Sequence, residues 1–474
     1  MKARTFGFAL SLISLAGCSG HRKPVPNPTV TGPVTGGRGQ AFDTFPVADL
    51  GYTEEEYFYS GTASTYTSVG TWERDGFWQA KPLGAANYKV RMLVRRPSDA
   101  TRFNGTVIVG WLNVTEQVES ASDFHQMQEE IVREGYAWVG LGVQAAGILS
   151  PEGLKAWDPG RYGSLEHPGD NYAYDIFSQG GQAIHHPQGI DPLHGLRIRR
   201  MLAVGKSEAA SMLVGYINAV QPLTGIYDGY LVHSRAGGNN GYPENLRSVV
   251  PQNALIRIDV DVPVLELQME GDLVALRSHV TRQEESKHFR LWEVAGAANA
   301  ESPRWVIEVP PALTHRPPFD ETSNCRDPIN AAPGHAVVKA ALHALMLWTR
   351  DGTEPPTSPF IELDDPVEPD PIARDRYGNA KGGIRLPEVE VPTAMVSGRE
   401  NTPADDARGK LNFCALFGTT SPFDRATLAQ LYPNHEAFVK AFDASVDAIQ
   451  KASFWLKPEA DEARKAAENS HIGR

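Results

Sequence analysis

The chain is poor in cysteine, with three in 474 residues, and it has no excess of positive charge. Forty-five lysines and arginines face 57 aspartates and glutamates, a formal net charge of −12. That balance argues against a nucleic-acid partner and against electrostatic docking on an anionic membrane surface. Beyond residue 18 no stretch approaches the ~18 consecutive apolar residues that a membrane-crossing helix needs. There is no glycine fingerprint for a dinucleotide and no internal repeat. His185 and His186 are adjacent, so they point apart on any regular element, and Asp191 adds no ligand spacing. No metal and no cofactor is therefore expected. What remains is a globular composition, 41% hydrophobic and 22% charged, long enough for one large decorated domain.

The three cysteines divide into one and two. Residues 1–18 open with Lys2 and Arg4, continue through the apolar run FGFALSLISLAG, and end in LAGC. This resembles a bacterial lipoprotein signal, in which Cys18 becomes the lipidated first residue of the mature chain. Ser19 at the next position points to the outer membrane, with the protein on its periplasmic face. Cys325 and Cys414 then form an even pair in an exported protein, and one disulfide is expected between them. Residues 19–41, rich in proline and glycine, read as a flexible tether.

Globular texture starts near Phe42. YKVRMLVRRP (88–97) alternates as a strand does. NGTVIVGWLNV (104–114) and YAWVGLGVQ (136–144) are apolar throughout, as strands buried on both faces are. Between them SDFHQMQEEIVREG has a helical period that stops at Gly135. Strand, helix, strand at this spacing is a βαβ unit and implies a parallel sheet. The expected organisation is an α/β core over 42–358, a cap-like insertion over 145–195, and a C-terminal extension over 359–474 packed on the core. Three more strands follow in the core, DGYLVHSRAG, DVPVLELQME and HFRLWEVAG, and then a helix, HAVVKAALHALMLWTRDG. His343 sits mid-helix there and reads as structural. In the extension, one helix is expected at about 435–450 and a charged helix at the C-terminus.

The stretch AVGKSEAAS carries the chemistry. Ser207 sits between a strand-like RIRRMLAV and a helical EAASMLVGYINAV, with Gly205 two residues before it and Ala209 two after. A nucleophile on a strand-to-helix turn needs small residues at those places because backbones approach closely. Oxyanion donors are expected from the backbone N–H of Glu208 and from Leu112 or Asn113, with the Asn113 side-chain amide as a further candidate. The acid belongs after a later strand, where Asp272 is preferred and Glu270 is the alternate. The base belongs after the next strand, but that turn holds Asn299, which cannot take a proton at neutral pH. His335, at the start of the helix HAVVKAAL, is the expected base, and His315, in THRPPFDE, is the alternate. His167, Tyr172 and Tyr174 of the insertion either line the pocket or pack it.

These stretches, with RYGSLEHPGDNYAYDIFSQGGQAI, LWEVAGAANAES, PGHAVVKAALHALMLWTRDGTEPP, GNAKGGIRLPEVEVP and CALFGTTSPF, resemble the "alpha/beta hydrolase domain" family of exported esterase-like proteins. The resemblance spans about residues 100–430. It implies an α/β-hydrolase fold, a mostly parallel sheet flanked by helices, with serine hydrolase chemistry at Ser207 and an acid at Glu270 or Asp272. Two positions depart from the family. Asn299 stands where a histidine is usual, and Glu208 where a glutamine-like residue is usual. The expectation is a lipid-anchored serine hydrolase that cleaves a small-molecule carboxylic ester through an acyl-enzyme. The rival is a binding lipoprotein that keeps the fold with a broken triad.

Overall fold

A computed structural model of the chain describes residues 22, 24–40, 46–239, 242–301, 325–364, 370–404 and 413–474. Cys18 and His315 lie outside the described residues. Eleven strands join one sheet: β1 (Thr29–Thr31), β2 (Tyr52–Ser68), β3 (Ala80–Pro97), β4 (Thr106–Trp111), β5 (Ala137–Leu141), β6 (Gln188–Gly189), β7 (Arg200–Lys206), β8 (Gly229–His233), β9 (Val264–Met269), β10 (Phe289–Ala295) and β11 (Ile384–Arg385). Their spatial order is β11-β10-β9-β8-β7-β4-β5-β3-β2-β1-β6. The run from β11 to β5 is parallel throughout, and β3 turns antiparallel against both β5 and β2.

The helices used below are α1 (Ser122–Glu134), α2 (Ala173–His185), α3 (Glu208–Ala219), α4 (Glu270–Ala275), α5 (Gly334–Asp351), α6 (His435–Lys451) and α7 (Lys457–Asn469). They cover both faces of the sheet, which is why β4, β5, β8, β9 and β10 are buried along their whole lengths. Alternate residues of β7 feed opposite cores. Met201 and Ala203 meet α2 and α3, whereas Leu202 and Val204 meet α1 and α5. This is the α/β-hydrolase architecture. Because the central strands are parallel, their carboxyl ends open on one side of the sheet, and the loops there carry the candidate site.

Three features go beyond the sequence reading. Residues 24–40 are not simply a tether. Thr29–Thr31 pairs with β2 and with β6, and Val25 and Val30 are buried. Proline and glycine do not prevent this, because the paired residues Thr29–Thr31 include neither and so short a strand asks for few ladder bonds. Within 145–195, α2 is a core helix packed against β2 rather than a cover over the sheet. The C-terminal extension enters the core as well. β11 extends the sheet beside β10, and α6 and α7 bury Phe438, Phe442, Val446, Ile449 and Ala460 with α1 and α5. A hairpin of β12 (Ala394–Ser397) and β13 (Thr419–Pro422) lies alongside. Cys325 and Cys414 are bonded, with Cα atoms 5.5 Å apart.

Candidate active site

Ser207 is the single residue between β7 and α3, and the chain reverses direction on it. Its backbone has φ 58° and ψ −117°, a positive φ that a non-glycine residue rarely adopts. The turn is braced on both sides. The Ser207 N–H donates to the His233 carbonyl at 2.8 Å, and the Ser207 carbonyl accepts from the Ser211 N–H at 3.2 Å as the helix begins. The Asn113 side-chain amide donates to the Lys206 carbonyl at 3.0 Å. A Cβ on Gly205 would stand 2.7 Å from the Ala209 carbonyl oxygen, so the small residue two before the serine is required by contact. Holding a serine in such a conformation costs about 1–3 kcal/mol and persists only where the surroundings enforce it.

The acid question has a geometric answer. Glu270 and Asp272 share the first turn of α4 but face different partners. The Glu270 carboxylate accepts from the Gly296 N–H at 2.6 Å, the Gly398 N–H at 3.0 Å, the Ser397 hydroxyl at 3.1 Å and the Arg374 guanidinium at 3.0 Å. Three of those four partners belong to the C-terminal extension, so Glu270 is a clamp. Asp272 is fully buried. It accepts from the Met269 N–H at 2.7 Å and from the Asn299 side-chain amide at 2.7 Å. Burial raises its pKa, and the Asn299 amide and Lys206 charge oppose that rise.

Asn299 therefore occupies the place beside Asp272 that an imidazole N–H would fill. It is 1% exposed, and its side-chain oxygen accepts no hydrogen bond from any described residue. Its carbonyl accepts from Lys206 Nζ at 2.8 Å. The turn is also gripped from outside. The Ala300 N–H donates to Leu416 and the Asn330 amide to the Gly296 carbonyl. A Cβ on Gly398 would fall 2.1 Å from the Gly271 nitrogen, so the extension crosses α4 at backbone contact.

The expected base is placed elsewhere. His335 opens α5, its N–H donates to Glu301 at 2.9 Å, and its Nδ1 pairs with the same carboxylate. Among the described residues no hydrogen bond joins the Ser207 hydroxyl to a histidine ring. The reason is positional: α5 packs on the α1 face of the sheet, whereas α3 runs on the other. His343 pairs with Glu130 at 2.8 Å, in keeping with a structural role. Glu130, Glu134 and His343 lie close enough together to hold a metal ion, but the Arg133 guanidinium already binds Glu130 at 2.5 Å.

The oxyanion side also differs from expectation. The Leu112 N–H donates to the Leu141 carbonyl at 3.2 Å, still in the ladder, and the Asn113 N–H donates to the Ser120 carbonyl at 3.0 Å. With the Asn113 side chain bound to Lys206, the expected donors of that loop are all engaged. The Glu208 N–H stands at the first position of α3, where no intrahelical carbonyl reaches it. The Glu208 carboxyl accepts from the Gln144 amide at 2.7 Å, and Gln144 in turn accepts from the Trp111 indole at 2.8 Å. Burial pushes this carboxyl up to about 7. Asp170 adds to the rise, while the Gln144 amide and the Val114 N–H oppose it. His167 accepts from the Gly169 N–H and meets the Val143 carbonyl, and Tyr174 packs between Trp111 and Tyr216.

Lys206 had no place in the sequence reading. It is 1% exposed, directly before Ser207, and burial draws its pKa down against the pull of Asp272, Glu301 and Asp123. Its signal was available, since it is the one charged residue in the run MLAVGK.

The chain belongs to the alpha/beta hydrolase domain family, whose model matches residues 23–465. No curated protein matches it. Among solved structures it is similar to a putative dienelactone hydrolase from Klebsiella pneumoniae, at 14% identity and a TM-score of 0.29, over 62% of this chain and 99% of that one. An esterase from Pyrococcus furiosus is similar at 11% identity and a TM-score of 0.28, over 54% and 86% of the two chains. An esterase from Rhizomucor miehei is similar at 12% identity and a TM-score of 0.28, over 54% and 83%.

Proposed function

We propose that the protein is a lipid-anchored serine hydrolase in which Ser207 takes the acyl group of a small carboxylic ester, in a site whose usual base has been replaced. The observation that carries this reading is the Ser207 backbone at φ 58° and ψ −117°, a strained turn braced by His233 and Asn113. Ser207 Oγ attacks the ester carbonyl, the oxyanion meets the Glu208 N–H, and the alcohol leaves carrying the proton that Oγ gives up; water then attacks the acyl group, releases it as the acid and returns a proton to Oγ. Asn299 orients against Asp272 but accepts no proton, so among the described residues no imidazole assists either step and turnover is slow. The N-terminal LAGC sequence supports attachment through lipidated Cys18 at the outer membrane.

The Asn299–Asp272 hydrogen bond favours a second reading, a binding lipoprotein that holds an ester or acid without cleaving it. An alkyl fluorophosphonate separates the two. Covalent labelling of the folded chain that disappears in Ser207→Ala supports the hydrolase. Labelling unchanged in His335→Ala places the histidine–Glu301 pair outside the reaction. A folded chain that takes no label at all supports the binding reading.

A further inference from the structure

The amino end of the described chain enters the fold on the side away from Ser207. Arg22 pairs with Asp261, three residues before β9 begins at Val264. Its guanidinium also lies against Gly225, four residues before β8 begins at Gly229. The Gln182 amide, in the last turn of α2, donates to Asn27. All of these mark the amino ends of the parallel strands. Ser207, Asp272 and Asn299 mark the carboxyl ends. β7 has seven residues, which at ~3.3 Å each separates the two sides by roughly 20 Å.

Three residues lie between Cys18 and Arg22, so four chain steps join them. At ~3.3–3.6 Å per residue that chain spans no more than about 14 Å. A lipid on Cys18 therefore holds the amino-end face close to the bilayer. The same face carries Phe77, 45% exposed, with the Arg257 guanidinium 5.8 Å from its ring, and Ile258, the next residue in the chain after Arg257, 54% exposed. Arg22 and Arg257 offset Asp259 and Asp261 there, so the face presents apolar side chains without a strong net charge.

We infer that the protein stands on the bilayer on the amino ends of its strands, with Arg22, Ile258 and Phe77 against the lipid and Ser207 turned outward, so that the ester it takes is water-soluble rather than a membrane lipid. This rests on the proposed anchoring at Cys18. An acyl chain seated in the bilayer would have to cross the height of the sheet to reach Ser207, and the short leader does not let the molecule turn over.

The test uses the full lipidated chain reconstituted into phosphatidylethanolamine–phosphatidylglycerol vesicles. A fluorophore is placed at Ile258→Cys or at Leu149→Cys. Leu149 is 49% exposed and follows the carboxyl end of β5. Cys325 and Cys414 are bonded to each other and do not compete for label. A nitroxide headgroup lipid is expected to quench the Ile258 reporter several-fold more than the Leu149 reporter. Equal quenching, or stronger quenching at Leu149, in protein that sediments with the vesicles overturns the orientation and leaves the anchor standing. Protein that stays in the supernatant, as Cys18→Ala is expected to do, overturns the anchor and the orientation with it.

Discussion

Two turns at the carboxyl end of the same sheet have diverged. After β7, the turn at Ser207 keeps its positive φ, its close glycine and its bracing hydrogen bonds. After β10, the turn at Asn299 lies against Asp272, to which the Asn299 side-chain amide donates. Both turns are held in place by hydrogen bonds from neighbouring elements, and they differ in the side chain each presents. The reason lies in what each turn supports. The Ser207 turn opens α3, and the Asn299 turn is the floor on which the C-terminal extension sits, through Leu416, Asn330 and the nearby Gly398. A donor to Asp272 satisfies a buried carboxylate whether or not it can also accept a proton. Packing and the buried carboxylate are therefore enough to hold the turn, with no proton acceptor required at Asn299.

The comparison is sharpened most by restoring the base. Asn299→His places an N–H toward Asp272 and a second ring nitrogen toward the nucleophile, and kcat/KM for a short-chain aryl ester is expected to rise by about 10²–10⁴-fold. An unchanged rate in a folded variant breaks the pairing of the two turns. Next in size is Glu270→Ala, which leaves Arg374 without its buried partner and removes the acceptor of the Gly398 N–H. A loss of about 3 kcal/mol in denaturant unfolding is expected, with fluorophosphonate labelling retained. Loss of labelling at full stability would instead make Glu270 the acid. The smallest effect belongs to Glu208→Gln. The carboxyl titrates at about 7 when folded against 4.5 in its ordinary state, so burial favours the protonated form. The resulting penalty is absent below pH 4.5, builds between 4.5 and 7, and is complete above 7. The variant is thus expected to gain Tm over the native chain at pH 8 and little at pH 4, with a ceiling of about 3 kcal/mol. Calorimetry at the two pH values checks it.

Much of this was legible in the chain. The apolar runs at 104–114 and 136–144 are β4 and β5, and Gly205, Ser207 and Ala209 mark the strand-to-helix turn. Asn299 was visible as a departure. The choice between Glu270 and Asp272 was not visible, because it depends on Arg374, Ser397 and Gly398, more than a hundred residues away in sequence. The place of His335 was hidden for a similar reason, since its tie to Glu301 and the sheet face occupied by α5 are properties of packing. Short-range pattern finds turns and strands, and long-range closure decides which of two neighbouring carboxylates meets the site.

The central claim is that Ser207 remains a nucleophile although the imidazole beside it is gone. Mass spectrometry of the intact chain after exposure to an alkyl fluorophosphonate tests it most directly. The account predicts a slow, stoichiometric adduct on the peptide containing Ser207, absent in Ser207→Ala and formed faster in Asn299→His. A folded native chain that forms no adduct, together with an Asn299→His variant that forms none, would contradict it.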